Sequence, residues 1–483
     1  MSQQNALQDR LDREAIRHCV LRSIRGLDRA DAGLLASALQ DPALVPLDAD
    51  GDAVVSRQRF VTNDRIELDG ATATSEAYLL TITVPAGEQP VVALSGDRVV
   101  DRLDRRAGEW RISAREVSRV WEASGDGAFT APYLAVMRNR GTRDRDDATY
   151  DHPAVAPATS FDPAALADRD AIRDALLRYM RGTDRLDEEI LAATSADLQF
   201  LMGPNVIPAE AFWAGSHGLA AARAVTQHLI ANHHIEQDGD VAYVESYLLG
   251  AVMLNEGEQH AFMPRPDGAP AGELTLSGIR YADRLERRED GWKLVSRELL
   301  GESFTTIDGL RTAHAPATAQ RPTRDQQDPS YREALAPATT RDPVGAALDR
   351  EAIHDAALRL VTGIDIGDVA LAQGACWHDI AGVLAHAGSD QGSVAKVHHV
   401  FNHLVEIGDG VARSEACVLI ATALAAGAEL VGGIARPGEV LLHSSRVLYD
   451  FERRGDEWRI AGWTTLPEWS GVAPAPLSAA TAS

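Results

Sequence analysis

The chain has 483 residues, 45% of them hydrophobic and 24% charged, which is a globular composition and too much chain for one core. Its net charge of −24 repels nucleic acid and anionic membranes and excludes both as partners. No apolar run approaches the ~20 residues that span a bilayer, and the N-terminus lacks a basic-then-apolar leader, so a cytoplasmic protein is expected.

The first predicted element is a helix within residues 12–31, DREAIRHCVLRSIRGLDRAD. The same phrase returns at 168–187 as DRDAIRDALLRYMRGTDRLD and at 349–368 as DREAIHDAALRLVTGIDIGD. One domain is therefore written three times, with Asp28, Asp184 and Asp365 in one column. In the second copy Ile172, Leu176, Tyr179 and Met180 recur at helical spacing and give one apolar face. Gly26, Gly182 and Gly363 sit where the helix is expected to stop, which leaves Asp184 just beyond it. Asp31, Asp187 and Asp368 stand before a second apolar segment and read as its N-caps.

Four strands are expected next in each copy, in the second at 228–237, 241–254, 274–287 and 292–304. Asp69-Gly70, Asp238-Gly239-Asp240 and Gly408-Asp409-Gly410 mark the first hairpin turns. RRAGEWRI, RREDGWKL and RRGDEWRI mark the last, and their Trp110, Trp292 and Trp458 read as packing residues. A helix followed by a curling antiparallel sheet makes an α+β domain whose concave face suits a small molecule.

The expected boundaries are 8–124, 166–305 and 346–471, with connectors at 125–165 and 306–345 and a tail at 472–483. Each connector carries a related tyrosine phrase, DDATYDHP or DPSYREAL, and is expected to pack along a neighbouring copy. Cys19, Cys376 and Cys417 fall at non-equivalent places in the repeats and suggest a reducing compartment.

The chemistry-bearing columns lie at the start of the first strand. His228 aligns with His398, but copy one has Arg59 there, while Asn63, Asn232 and Asn402 share the next column. A carboxylate after the helix and a histidine on the strand are the halves of an Asp–His dyad, in which the carboxylate fixes the imidazole tautomer and raises its basicity. Local capping by the aspartates and ordinary packing of the histidines are the bland alternatives. His399 and His403, and His228, His233 and His234, raise a metal site, but neither group has a matching carboxylate motif and none is expected.

Together the opening helix, Tyr-x4-Asp-Arg-x-Asp, His-x3-Asn-x3-Glu, the Asp-Gly hairpin and Arg-Arg-x-x-Gly-x-Trp resemble the SnoaL-like branch of the nuclear transport factor two superfamily. That branch is similar to scytalone dehydratase, bile-acid dehydratase and lindane dehydrochlorinase. The resemblance implies three cone-shaped α+β barrels, each with a deep apolar pocket. It implies an Asp–His dyad working without cofactor or metal, at Asp184 with His228 and at Asp365 with His398. A family tyrosine falls on Tyr179, replaced by Ser23 and Leu360 elsewhere. A family arginine falls on Arg297 and Arg115, with Trp463 in copy three. Copy two is thus the expected site, with Asn232 and Asn402 as candidate substrate contacts. The implied activity is a dehydratase for a hydrophobic cyclic substrate, of steroid, terpenoid or polyketide type. The alternatives are a cyclase or isomerase using the same dyad, or a non-catalytic binding or scaffold protein. Because such lyases are typically homotrimers, three tandem copies imply a pseudo-threefold monomer.

Overall fold

A computed structural model describes residues 3–44, 53–87, 90–127, 147, 161–202, 205–218, 222–259, 268–270, 272–310, 323–325, 327–332, 335, 343–381, 393–424 and 438–474. The fold is mixed α/β and mostly antiparallel. The first unit has helices α1 (Gln3–Asp28) and α2 (Ala32–Ala38), then strands β1 (Val54–Asp69), β2 (Thr72–Pro85), β3 (Val91–Arg106) and β4 (Glu109–Asp126). The second has α3 (Pro163–Arg185) and α4 (Glu188–Thr194). A β5 (Ser195–Met202), β6 (Asn205–Pro208) hairpin and helix α5 (Ala209–Gly218) follow. Its meander is β7 (Arg223–Asp238), β8 (Val241–Leu254), β9 (Glu273–Arg288) and β10 (Gly291–Leu310). The third has α6 (Pro343–Ile366), α7 (Val369–Gly374), β11 (Ser393–Ile407), β12 (Val411–Leu424), β13 (Glu439–Arg454) and β14 (Glu457–Pro474).

The long helices do not stop at their glycines. Asp184 lies inside the last turn of α3, and Leu186, at φ 56°, makes the left-handed cap. The glycines serve close packing instead. A Cβ on Gly363 would sit 2.6 Å from the Ala372 backbone nitrogen, and one on Gly26 would sit 2.8 Å from that of Leu35. Each short helix therefore crosses its long helix where a side chain is missing. Asp31, Asp187 and Asp368 do cap the short helices, accepting from the backbone N–H of Leu34, Ile190 and Leu371. The first aspartate of each repeated phrase docks the last strand. The indole N–H groups of Trp110, Trp292 and Trp458 donate to Asp12, Asp168 and Asp349 at 3.0, 3.4 and 2.6 Å.

Each unit has its own apolar cluster between helices and meander. A further cluster draws on all three meanders, including Phe60, Leu229, Leu249, Phe401 and Trp469. Leu229 is fully buried there, which is worth roughly 1.5–3 kcal/mol relative to exposure. β4, β10 and β14 join the meanders edge to edge, Thr306 pairing with Asp126 and Gly309 with Gly471.

Asn63, Asn232 and Asn402 sit at register shifts in the first strand of each meander, all at positive φ, a conformation asparagine tolerates better than most residues. Their amides stitch the units in a cycle. Asn232 accepts from Val61 N–H at 2.7 Å and donates to Arg59 O at 2.7 Å. Asn402 does the same to Ile230 and His228, and Asn63 to Val400 and His398. The amides of Asn232 and Asn402, expected as substrate contacts, thus bond the backbone of a neighbouring unit.

Where described, the connectors also bind between units. Asp147 is buried against Arg29, just past α1, at 3.1 Å, and Arg280 of β9. Asp328 repeats this with Arg185 of α3 and Arg446 of β13. Glu245 and Glu415 complete the two clusters. Most other connector residues, Tyr150 among them, lie outside the described residues. No helix among the described residues is long and apolar enough to cross a membrane.

Candidate active site

The second unit brings His228 and Asp184 together. Because Asp184 ends α3 and His228 lies on β7 beside it, the carboxylate spans two groups of one residue. Its Oδ2 accepts from the His228 backbone N–H at 3.0 Å, and its Oδ1 lies 2.5 Å from His228 Nδ1. Asp365 holds His398 in the same way, at 2.9 and 2.5 Å. In the first unit Asp28 accepts from the Arg59 backbone and from its guanidinium, so the clamp survives without an imidazole.

With Nδ1 occupied, Nε2 is the free nitrogen of His228, and His228 lines a cavity of about 370 Å³. Tyr179 and Arg297 line the same cavity. The Tyr179 hydroxyl accepts from Trp213 Nε1–H at 3.0 Å, and burial pushes its pKa up to about 12 against the opposing pull of Arg297. It therefore keeps its proton near neutrality and can donate it as a hydrogen bond.

Arg297 is less free than the sequence suggested. Two of its nitrogens fork onto Asp283, each at 2.7 Å, both side chains are buried, and the guanidinium lies over the rings of Tyr179 and Tyr281. Burial disfavours its charge, but Asp283 outweighs burial and holds it firmly protonated. Arg297 thus meets the cavity as half of an ion pair and not as an uncompensated cation. Asp101 and Arg115 form the same pair in the first unit, with Ser23 in the tyrosine column. Tyr449 and Trp463 occupy that cross-strand position in the third unit.

Sequence reasoning missed the cavity's other walls. The β5–β6 hairpin and α5 bring Ile207, Phe212, Trp213 and His217 to it, and Phe212 stacks on Phe200 at 3.8 Å. Segment 195–218 has no clean period, so its pattern gave no signal. His217 is a second imidazole in the cavity, its Nδ1 3.3 Å from Glu188 at the start of α4. Asp283 could have been found as a column, since Asp101 repeats it opposite a repeated arginine.

The histidines weighed as metal ligands have separate partners. His399 contacts Thr62 at 2.9 Å, His403 contacts Ser414 and His354, His233 contacts Ser246, and His234 stacks on His18.

Comparison with known proteins places this architecture. No curated protein matches the chain. Solved structures similar to it include a hexachlorocyclohexane dehydrochlorinase from Novosphingobium barchaimii, at 21% identity over 31% of this chain and 96% of that one (TM-score 0.25). A putative scytalone dehydratase from Novosphingobium aromaticivorans shares 22% identity over 32% and 97% (TM-score 0.24). The Kfla4162 protein from Kribbella flavida shares 22% over 28% and 92% (TM-score 0.25). The SnoaL-like domain family matches residues 8–116 and 164–298, just over half of the sequence and the segments that hold the first two helix-and-meander units. By that match, the chain belongs to the SnoaL-like family.

Proposed function

We propose that the second unit is a cofactor-free lyase, a dehydratase acting on a hydrophobic cyclic β-hydroxy carbonyl compound. The observation that carries this reading is an imidazole anchored by a carboxylate and opening onto a mostly apolar cavity shared with a protonated tyrosine. His228 Nε2 takes the proton on the carbon next to the carbonyl. Asp184 orients the ring and stabilises the imidazolium. The Tyr179 hydroxyl donates to the carbonyl oxygen as enolate charge develops. His217, at the other carboxylate pair, supplies a proton to the departing hydroxyl, so that water leaves and the double bond forms. The same parts serve an enolate-forming cyclisation or double-bond shift.

In this reading the units are three SnoaL-like domains, 8–124, 166–305 and 346–471, around a pseudo-threefold axis. The cyclic asparagine contacts and the apolar cluster drawn from all three meanders support it. A second reading, ligand binding without turnover, is favoured by one observation: Arg59 takes the clamp of Asp28 without a base, so the clamp has structural value by itself.

The test is mass spectrometry of a hydrophobic metabolite pool incubated with wild type and with His228→Ala. A compound losing about 18 Da, one water, with wild type alone supports general-base dehydration. No mass change with either protein favours binding. Asp184→Asn should slow turnover on the order of 10²-fold. His398→Ala should cost far less, because Leu360 and Trp463 replace the tyrosine and arginine in its unit.

A further inference from the structure

One end of the second unit's cavity is unlike the rest. Arg223 opens β7 five residues before His228, and both line the cavity. Strict alternation would put them on opposite faces of the strand, but a register shift between Arg223 and Val225 returns them to one face. The matching positions are Val54 and Ser393, so the arginine belongs to the copy with the fullest site. Among the described residues Arg223 has no hydrogen bond or ion pair.

Near Arg223 several donors lack hydrogen-bond acceptors among the described residues, although Asp184 and Glu468 offset part of the Arg324 charge. Arg324, from the second connector, gives its Nε–H to Asp184 O at 3.1 Å, while its Nη1 and Nη2 are buried without a partner. Burial and the nearby Arg324 charge both weaken protonation of Arg223, and no carboxylate among the described residues offsets them. Thr226 and Gln227 form a wall shared by this cavity and an adjoining polar one that Arg324 lines. Gln227 is 2% exposed, and its carbonyl oxygen is taken by Trp469 and Ser444. Its amide nitrogen and the Thr226 hydroxyl have no hydrogen-bond partner among the described residues. Buried donors left unpaired cost free energy that a ligand's acceptor oxygens would recover.

We propose that this cavity takes an apolar molecule ending in a carboxylate, held by Arg223 and the adjoining donors while His228 meets the reacting carbon. This rests on the reading of the cavity as the substrate site and narrows the substrate class. At about 3.3 Å per strand residue, the acid group lies on the order of 10–15 Å from the reacting carbon. That span suits several fused rings or a ring system with a short acid side chain.

The experiment is a fluorescence titration with 1-pyrenebutyric acid and 1-pyrenebutanol, which differ only in the acid group. Wild type should bind the acid about tenfold more tightly than the alcohol, as a charge-assisted hydrogen bond provides. Arg223→Gln should erase that ratio and Arg223→Lys should keep most of it, with the alcohol titration reporting that each variant still has its cavity. Equal affinities in wild type, or a ratio that survives Arg223→Gln, overturns the acid anchor and leaves the lyase reading standing. Failure of both probes to bind wild type overturns the cavity as a substrate site, and this inference with it.

Discussion

Asn402 of the third unit holds the backbone of His228 in the second. Its amide nitrogen donates to His228 O at 2.6 Å, and its oxygen accepts from Ile230 N–H at 2.8 Å. The imidazole is therefore fixed from two sides, by Asp184 within its unit and by an asparagine from the next. Asn402→Ala removes both bonds and leaves a partly buried donor and acceptor unpaired, at a cost of about 1–3 kcal/mol. Turnover should fall several-fold or more while substrate affinity changes little, because a base displaced slightly loses alignment before the cavity loses shape. Asn63→Ala, which loosens Val400 and His398 instead, is the control. Equal losses from the two variants would separate the asparagine stitch from the second unit's chemistry.

The helix glycines make a second prediction. Alanine is the better helix former by about 1 kcal/mol, so a glycine with only a helical role should tolerate the change. At Gly363 the added Cβ would meet the Ala372 backbone nitrogen at 2.6 Å, which cannot yield without moving α7. At Gly182 it would meet side-chain carbons of Ile190 and Leu191 at 3.1 Å, which can shift. Gly363→Ala should lower stability by roughly 1–3 kcal/mol or more, and Gly182→Ala by clearly less. Urea unfolding of both variants decides, and the reverse order would sink the packing explanation.

Burial, followed by the charges of Arg173 and Arg297, lowers the His233 pKa to about 3. Burial, followed by His398, lowers that of His399 to about 3. Both are depressed below the unfolded value, so between pH 6.5 and about 3 the unfolded chain binds more protons than the folded one. Stability therefore falls as pH drops below 6.5. At pH 5 each histidine should have cost on the order of 1–2 kcal/mol. Chemical denaturation at pH 7 and pH 5, with His399→Gln as comparison, measures the slope. A variant that loses as much stability as wild type over that interval would remove His399 from the account.

What was legible in the sequence was whatever repeats locally. The helix phrase, the Asp-Gly turns, the capping aspartates and the columns of Asp184 and His228 all carry their signal within a few residues of chain. The asparagines were visible as a column, but their backbone partners were not, because that backbone belongs to another unit. Gly182 was read as a stop because helix caps and helix crossings both select glycine, and only the position of Leu191 separates the two. His217 and Arg223 occur in one copy alone, so comparison between copies could not raise them. The same non-local character explains Asp147 and Asp328, two acids in irregular connectors whose arginine partners lie on different units.

Excision of the second unit tests how far it depends on its neighbours. Leu229, Leu249, Ala251, Met253, Leu274 and Leu276 are each at most 2% exposed, and all belong to the cluster that also draws on the first and third meanders. A fragment of residues 161–310 would turn that face to water. It would also take Arg29 and Asp147 away from Glu245 and Arg280, which would keep only each other and Glu302 among the described residues. Burial at about 25 cal/mol per Å² of apolar surface makes such a face sticky, and the loss of part of a buried charge network adds to the cost. The fragment should therefore aggregate or self-associate, and a self-complementary arrangement of three copies is the form that would recover the lost contacts. The intact chain should instead scatter as one compact particle, with a radius of gyration of about 23 Å for its length. Light scattering after size exclusion reads the first outcome and small-angle scattering the second. A fragment that stays monomeric and stable, or an intact chain near twice that radius, would mean that the three units do not share a core in solution.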